Sequence, residues 1–450
     1  MANLKTILVV GNYAREHALA WKLAQSTKVG KLYIAPGNGG TSGVAENVPI
    51  AQTNIPALVQ FALEKKVDVT IVGSDDPLAM GIADAFQARG LKIFGPTKAA
   101  AQIEASKVFA KQLMREHGIP TASFKTFRDY AEASAYVKQQ FMPASASPSE
   151  SRRVVIKASG LALGKGVTIC ANVHEAEEVL ARIMVEKIFG DSGSEVVVEE
   201  FMEGEEFSVH AFADGKTFKL LPPSQDHKAI FDGDKGPNTG GVGTIAPLAW
   251  VGEKNMQAVA EKVVAPILKA LAEADTPFRG LLYPGLMMTS EGAKVVEFNS
   301  RFGDPECESY MRLLKTDLLD IVEACIDGTL EKISIEWNPG FACCIILCSG
   351  GYPGSYEKGK VITGIEEAES AGGRTPAGGH DVVVFHSGTK MEGGKLVTSG
   401  GRVLGVTATG ETLEAALKKA YEAAAKIHFD GVYYRKDIGA KALNRVKVEP

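Results

Sequence analysis

Between residues 4 and 103 the chain alternates short, continuously apolar runs with helix-length segments, and this constrains the fold more than any other feature. The runs are TILVVG, KLYIAPG, VDVTIVGS and LKIFGP; between them lie REHALAWKLAQS, NIPALVQFALEKK and PLAMGIADAFQARG. Apolar strands without polar alternation are buried on both faces, which requires a parallel sheet with helices packed on each side. Ligands of such sheets sit beyond the carboxyl ends of the strands. Here those ends read GNYAREHA, APGNGG, VGSDDPL and FGPT, all rich in turn residues and polar groups.

The pattern then changes. Residues 104–122, EASKVFAKQLMREHGIPTA, read as a helix stopped by Gly118 and Pro120. MPASASPSESRR, at 142–153, reads as an exposed, mobile loop. VVIKAS and EVVVEEF are strands flanking a glycine-rich turn, GLALGKGV. Residues 206–247 add strands and a second loop, and 253–274 read as helix. GLLYPGLMMT and KVVEFN follow as a pair of strands. From about residue 330, short strands and turns closed by the helix ETLEAALKKAYEAAAKI indicate a small mixed domain. A length of 450 residues is too great for one ordinary core and supports two to four domains.

Several classes are disfavoured. The net charge is −5 and the basic residues are dispersed, so no nucleic-acid footprint is indicated. No apolar run approaches the ~18 residues a membrane span needs, and the N-terminal ILVV reads as a strand rather than a signal peptide. The six cysteines form no C-x-x-C pair. FACCIILCSG reads as a buried strand in which cysteine acts as a small hydrophobe. A reducing, cytoplasmic location is the expectation.

Four segments carry candidate chemistry. In KASGLALGKGV, Gly160, Gly164 and Gly166 let backbone amides approach an anion, and Lys157 and Lys165 supply charge. The spacing is not that of a P-loop, and an ordinary hairpin turn fits equally well. In VVVEEFMEGEEFSV a strand runs into Glu199, Glu200, Phe201 and Met202, either a linker that meets an adenine edge and ribose hydroxyls or an acidic surface turn. SQDHKAIFDGDKGPNTGGVG holds five glycines in twenty residues and is costly to order for stability alone, so the functional reading is favoured. In EFNSRFGDPE, Glu297 and Asn299 are two apart on a strand and share a face. A carboxylate and an amide oxygen so placed suit Mg2+, and Arg301 continues toward a transferred phosphoryl group.

Together these segments resemble the ATP-grasp superfamily and, within it, the glycinamide ribonucleotide synthetase family. The likeness runs from end to end through APGNGGT, FGPTKAAAQIEASK, GLALGKGV, EEFMEGEE, FDGDKGPNTGG, EFNSRFGDPE, LCSGGYPGSY, FHSGTK, GGRVLGVTA and YRKDIG. It implies an α/β fold of three parts: an N-terminal doubly wound parallel-sheet domain at 1–103, an ATP-grasp α+β domain at 104–328 with a lid at about 123–195, and a small C-terminal mixed α/β domain at 329–450. The implied reaction joins glycine to 5-phosphoribosylamine through glycyl phosphate, with ATP and with Mg2+ (or Mn2+). The resemblance places Lys107, Lys157, Gly164, Lys165, Gly166, Glu199, Glu200, Phe201, Met202 and Glu206 around the nucleotide, and Glu297 and Asn299 on the metal. Arg301, Lys228 and Asp226 take catalytic positions. Gly11, Asn12, Arg15, Glu16, Asn38, Gly39, Asp75, Asn238, Thr239, Gly240, Gly303 and Asp304 take substrate positions, with the loop Gly11–Arg15 holding phosphate at a helix N-terminus.

The sequence departs from the family pattern at Tyr13, Asp75, Ser159, Ala229 and Val242. None of these is among the lysines or the Glu297/Asn299 pair. Two of them, Tyr13 and Asp75, lie where the amine should bind, which leaves open a ligase of the same kind with another amine or amino acid. An inactive nucleotide-binding paralogue is the remaining alternative, and the intact lysines argue against it. Small-molecule substrates, no nucleic acid, no membrane and a monomer or weak homo-oligomer are expected.

Overall fold

The computed structural model describes residues 4–142, 152–162, 165–371 and 380–446. The loop reading at 143–151 and Gly164 lie outside the described residues. Near the N-terminus the expected parallel sheet is present. Its order is Glu46–Asn47, Val29–Pro36, Lys5–Gly11, Val69–Val72, Ile93–Phe94. Ile7, Leu8, Val9 and Val10 are all fully buried, with alternate side chains joining two separate cores. That is the two-faced burial their unbroken hydrophobicity demands.

An antiparallel sheet ordered Phe124–Phe127, Val196–Glu200, Val154–Ala158, Val167–Cys170 follows. It closes its own small core with the helices Tyr130–Phe141 and Val173–Leu180. A second antiparallel sheet is built round the long strand Arg279–Thr289, which pairs with Gly292–Asn299 as the sequence reading expects. The expected single helix over 104–122 is instead two, Gln102–Ala105 and Lys107–Glu116, broken at Ser106. Ser106 caps the second helix by accepting the Phe109 N–H. The expected irregular loop at 224–243 folds as a ribbon, Ala229–Phe231 against Lys235–Asn238, flanked by the short strands Gln225–Asp226 and Gly243–Ala246.

Those two flanking strands belong to the C-terminal sheet, ordered Gln225–Asp226, Gly243–Ala246, Phe341–Cys348, Arg402–Gly410, Val382–His386. One continuous core runs from Ile103, Met114 and Phe298 through to Ile345, Val406 and Leu417. Hydrogen bonding therefore passes across residue 328, where the sequence changes character. All six cysteines are buried thiols. Among the described residues, no helix is long and apolar enough to cross a membrane.

Candidate active site

The carboxyl ends of the N-terminal strands, the glycine turn of the four-stranded sheet, the strand Gly292–Asn299 and two C-terminal loops converge on one cleft of about 630 Å3. Among the described residues, nine cationic side chains and seven acidic ones line it. Such a surplus of cations suits a polyanionic ligand.

Lys111, Lys157 and Glu199 form its innermost ion network. Lys111 Nζ stands 3.1 Å from Glu199 Oε1 and Lys157 Nζ 2.9 Å from Oε2, with all three side chains at most 3% exposed. Lys157 also donates to the Val296 carbonyl at 2.9 Å, which fixes its head above the metal-candidate strand. Burial lowers Lys111 to about 8 despite Glu199. Lys107 is held by backbone: its N–H reaches the Ser159 carbonyl (2.8 Å) and its Nζ the Gly160 carbonyl (3.3 Å). Burial likewise lowers its pKa, against the pull of Glu297. Lys165 Nζ donates to the Pro353 carbonyl at 3.1 Å, tying the glycine turn to a C-terminal loop.

Glu297 and Asn299 both face the cleft, with Arg301 beside them. Burial raises the Glu297 carboxyl, but Lys107, Lys228, Lys157 and Arg301 outweigh it and hold it below the usual carboxylate range. Among the described residues the Glu297 carboxylate accepts no hydrogen bond, although its backbone lies in the strand pair. Asn299 Oδ1 accepts from Arg301 Nη2 (3.1 Å), while its amide donates to the Tyr283 carbonyl (3.4 Å), so its oxygen is oriented to the cleft side. Arg301 also pairs with buried Glu104 at 3.0 Å. Asp226 lies 2.6 Å from Lys228, and its own carboxyl is raised by burial to about 7. Lys228 is held well above its ordinary range by Asp226, against burial. Only Lys228 of this pair lines the cleft; Asp226 stands behind it.

At the N-terminal wall, Asn12, Arg15, Asn38 and Asp75 line the cleft. Burial raises Asp75, but Arg301 and Arg15 outweigh it and lower its pKa. Gly11 and Glu16 do not line it. Glu16 is fully buried, accepts the Tyr13 N–H (2.8 Å) and pairs with Arg15 Nε (2.6 Å). A Cβ on Gly11 would fall 2.4 Å from Glu16 Cγ, and one on Gly73 would fall 2.1 Å from its Oε1. At Gly11–Arg15, where a phosphate cradle is expected, an internal carboxylate occupies the helix N-terminus. Gly39 and Gly303 are also turned away, their N–H groups donating to the Thr389 carbonyl (3.1 Å) and His210 Nε2 (3.2 Å). Glu200, Phe201 and Met202 lie outside the cleft lining too: Glu200 accepts the Ser123 N–H, and Phe201 packs under Arg153 with the guanidinium 3.6 Å from the ring centroid. Glu206, Gly166, Asn238, Thr239, Gly240 and Asp304 are in the lining. Of the departures from pattern, Ser159 caps the lysine helix by accepting the Val108 N–H, while Ala229 and Val242 are simply buried.

Sequence reasoning missed Lys111, one turn after Lys107 on the same helix face, where i, i+4 spacing was the available signal. It also missed the C-terminal wall: Tyr352, Lys358, Ser387–Thr389 and Ser399–Arg402. Their segments stood among the matching motifs but had no assigned role.

A parallel-sheet domain, a small sheet whose glycine turn overhangs a lysine-lined cleft, and a carboxylate–amide pair at a strand end define an ATP-grasp enzyme. The family comparison agrees: residues 5–104, 105–307 and 342–441 match the N, ATP-grasp (A) and C domains of phosphoribosylglycinamide synthetase. The phosphoribosylamine–glycine ligase of Rhodopirellula baltica is 46% identical over 438 residues, 97% of this chain and 98% of that one. That of Caldanaerobacter subterraneus is 47% identical over 434 residues, 96% and 99% of the two chains. The trifunctional purine biosynthetic protein adenosine-3 of Gallus gallus is 44% identical across 97% of this chain and 42% of its own length. Among solved structures, the phosphoribosylamine–glycine ligase of Thermotoga maritima superposes with a TM-score of 0.80 at 32% identity, covering 96% of this chain and 99% of that one. The chain belongs to the phosphoribosylglycinamide synthetase family, a family of ligases.

Proposed function

We propose that the protein joins the carboxyl group of glycine to the amine of 5-phosphoribosylamine, with ATP converted to ADP and phosphate, in the synthesis of purines. The relatives' activities support this reading. The observation that carries it is the Glu297/Asn299 pair: an ionised carboxylate without a hydrogen bond among the described residues, beside an amide oxygen and four cations. Both donors are hard oxygens, so the residues fit Mg2+, and Mn2+ as a second occupant. Among the described residues no cluster of three or more His, Cys, Asp or Glu is placed to hold a metal. Further oxygens must come from substrate phosphates and water, as Mg2+ commonly requires. When bound, the ion neutralises charge on the phosphates.

The protein's own groups then do the following. Lys107, Lys157 and Lys165 bind the nucleotide phosphates. A glycine carboxylate oxygen attacks the γ-phosphorus and ADP leaves, forming glycyl phosphate. Arg301 and Lys228 hold the transferred phosphoryl group, and Asp226 keeps Lys228 cationic and in place. The amine nitrogen attacks the acyl carbon, phosphate departs, and the nitrogen gives up one proton. The reactive anhydride must be shielded from water, a task suited to the sheet at about 123–195 that overhangs the cleft. Residues 1–103 act as the amine-binding domain, 104–328 as the catalytic domain and 329–450 as the C-terminal domain. ADP release measured with glycine, with and without 5-phosphoribosylamine, tests the reading. Release requiring both substrates is expected; release with some other amine and none with phosphoribosylamine would overturn it.

A further inference from the structure

The N-terminal wall of the cleft has few donors left for a phosphate. Glu16 fills the helix N-terminus, and the N–H groups of Tyr13, Asn38, Gly39 and Gly40 donate to Glu16 Oε2, Thr41 Oγ1, the Thr389 carbonyl and Asn38 Oδ1. The Arg15 guanidinium donates to Glu16, the Phe302 carbonyl and Ser74 Oγ. The ionised Asp75 stands on the same wall, where it would attract hydroxyls and repel a dianion.

The adjoining C-terminal loops are the reverse: the His386 and Thr389 carbonyls accept from Asn38 Nδ2 (2.7 Å) and the Gly39 N–H (3.1 Å), which sets Ser387 beside that wall. Ser387 is 4% exposed, lines the cleft, and its hydroxyl has no partner among the described residues. A buried hydroxyl left unpaired is costly unless a ligand meets it. Among the described residues, the N–H groups of Gly400 and Gly401 donate to nothing, and Arg402 uses only Nη1, leaving Nε and Nη2 uncommitted. The two loops carrying these groups are locked together: Gly388 N donates to the Arg402 carbonyl (2.9 Å) and Ser399 N to the Gly388 carbonyl (2.7 Å). Gly388 and Gly400 meet backbone to backbone, so that a Cβ on Gly388 would lie 2.5 Å from Gly400 Cα. Gly401 lies under the Tyr352 ring, which a Cβ there would strike at 2.1 Å. Gly388, Gly400 and Gly401 leave bare backbone in the cleft lining beside the Ser387 hydroxyl and the Arg402 guanidinium, a form that suits an anion bound by hydroxyl, backbone and guanidinium donors.

We propose that Ser387, Gly400, Gly401 and Arg402 form the cradle for the phosphate monoester of the amine substrate, so that its ribose spans from the C-terminal loops to Asp75. The identity of that ester rests on the ligase reading; its chemical class, a sugar phosphate, rests on the donors.

Calorimetric titration of the whole protein with ribose 5-phosphate, ribose and inorganic phosphate tests this without turnover. Ribose 5-phosphate should bind and ribose should not. Ser387→Ala should weaken ribose 5-phosphate at least about tenfold, the low end for a lost hydrogen bond to a charged group. Ser387→Asp should abolish binding, and if that variant does not fold, Ser387→Ala carries the test alone. Wild-type affinity in Ser387→Ala overturns the cradle, as does equal binding of ribose and ribose 5-phosphate. Inorganic phosphate binding as tightly as ribose 5-phosphate would assign the cradle to free phosphate and overturn its assignment to the sugar ester. Ser387-dependent binding in an enzyme that releases no ADP with phosphoribosylamine would sink the ligase reading and leave the cradle standing.

Discussion

Replacing Arg402 should loosen the seam between the C-terminal domain and the catalytic one. Its Nη1 donates to the carbonyls of Gly240 (2.9 Å), Gly241 (3.3 Å) and Asp304 (2.6 Å), and stands 3.2 Å from Asp304 Oδ1. The Arg402 side chain is 15% exposed and that of Asp304 5%, so water can replace little of what is lost. Each charged donor bond contributes about 1.5–3 kcal/mol. Three of them share one nitrogen and cannot all be optimal, which argues for the lower figure and a sum near 4 kcal/mol. Removing one partner of a buried ion pair independently gives about 3–5 kcal/mol. Arg402→Ala is therefore expected to destabilise by about 3–5 kcal/mol, and Arg402→Lys by roughly half, since the ammonium keeps the charge and three donors on a shorter, non-planar side chain. Urea unfolding followed by circular dichroism measures it, and a cycle with Asp304→Asn should show a coupling of about 1–3 kcal/mol. An Arg402→Ala protein within 1 kcal/mol of wild type would mean that these contacts are replaced by water and that the seam is held elsewhere.

Other consequences are open to direct measurement. Glu297→Gln or Asn299→Ala should lower turnover at least about a hundredfold through loss of a charge-stabilising ligand, with unchanged circular dichroism; activity near wild type would remove the metal assignment. His210 is held neutral, its pKa pushed down to about 3 by burial, and it accepts the Gly303 N–H. The unfolded imidazole takes up a proton below about 6.5 and the folded one does not until about 3, so its contribution is complete above 6.5 and is lost as pH falls. His210→Asn should therefore reduce the stability lost between pH 6.5 and 5 by about 2 kcal/mol; an equal loss in both proteins refutes the point. If the sheet with its small separate core acts as a lid, hydrogen exchange in 124–127 and 154–158 should slow when ATP is added; identical rates with and without ATP would argue against a lid.

Legibility in the sequence followed the range of the interactions. The N-terminal sheet was readable because ILVV and its counterparts are buried on both faces, and burial of that kind writes an unbroken apolar run. The pair of strands ending in Asn299 was readable from its short apolar and β-branched runs bounded by turn residues, although Gly292–Asn299 is largely half-buried. The ribbon at 229–238 was not: KGPN has no alternation and all four residues are exposed, so its strand character comes from pairing with Ala229–Phe231 alone. The break at Ser106 was hidden because serine is tolerable inside a helix, and only the Phe109 N–H shows it acting as a cap. The sharing of Gly243–Ala246 with Phe341–Cys348 joins segments about a hundred residues apart, beyond anything periodicity records.

The site divides along the same line. Glu297, Asn299 and Arg301 are neighbours in sequence, so strand geometry alone placed them together. Lys157 and Lys165 were legible as charge around a glycine-rich turn, whereas Lys107 required the family resemblance, because the structure brings it to them from a separate helix. Glu16 received a substrate position from the resemblance alone, and only the tight space beneath Gly11 and Gly73 shows its carboxylate packed against the start of its own helix. That displacement has a consequence for the cleft as a whole. With the N-terminal helix already neutralised by Glu16, a phosphate on that wall would meet Asp75 without a free helix dipole to offset it. The C-terminal loops offer donors in its place: Arg402 there fastens the domain and leaves Nε and Nη2 uncommitted among the described residues. One side chain thus couples the integrity of the domain seam to the charge available to substrate, so loss of Arg402 should impair stability and sugar-phosphate affinity together, whereas loss of the Ser387 hydroxyl should impair affinity alone.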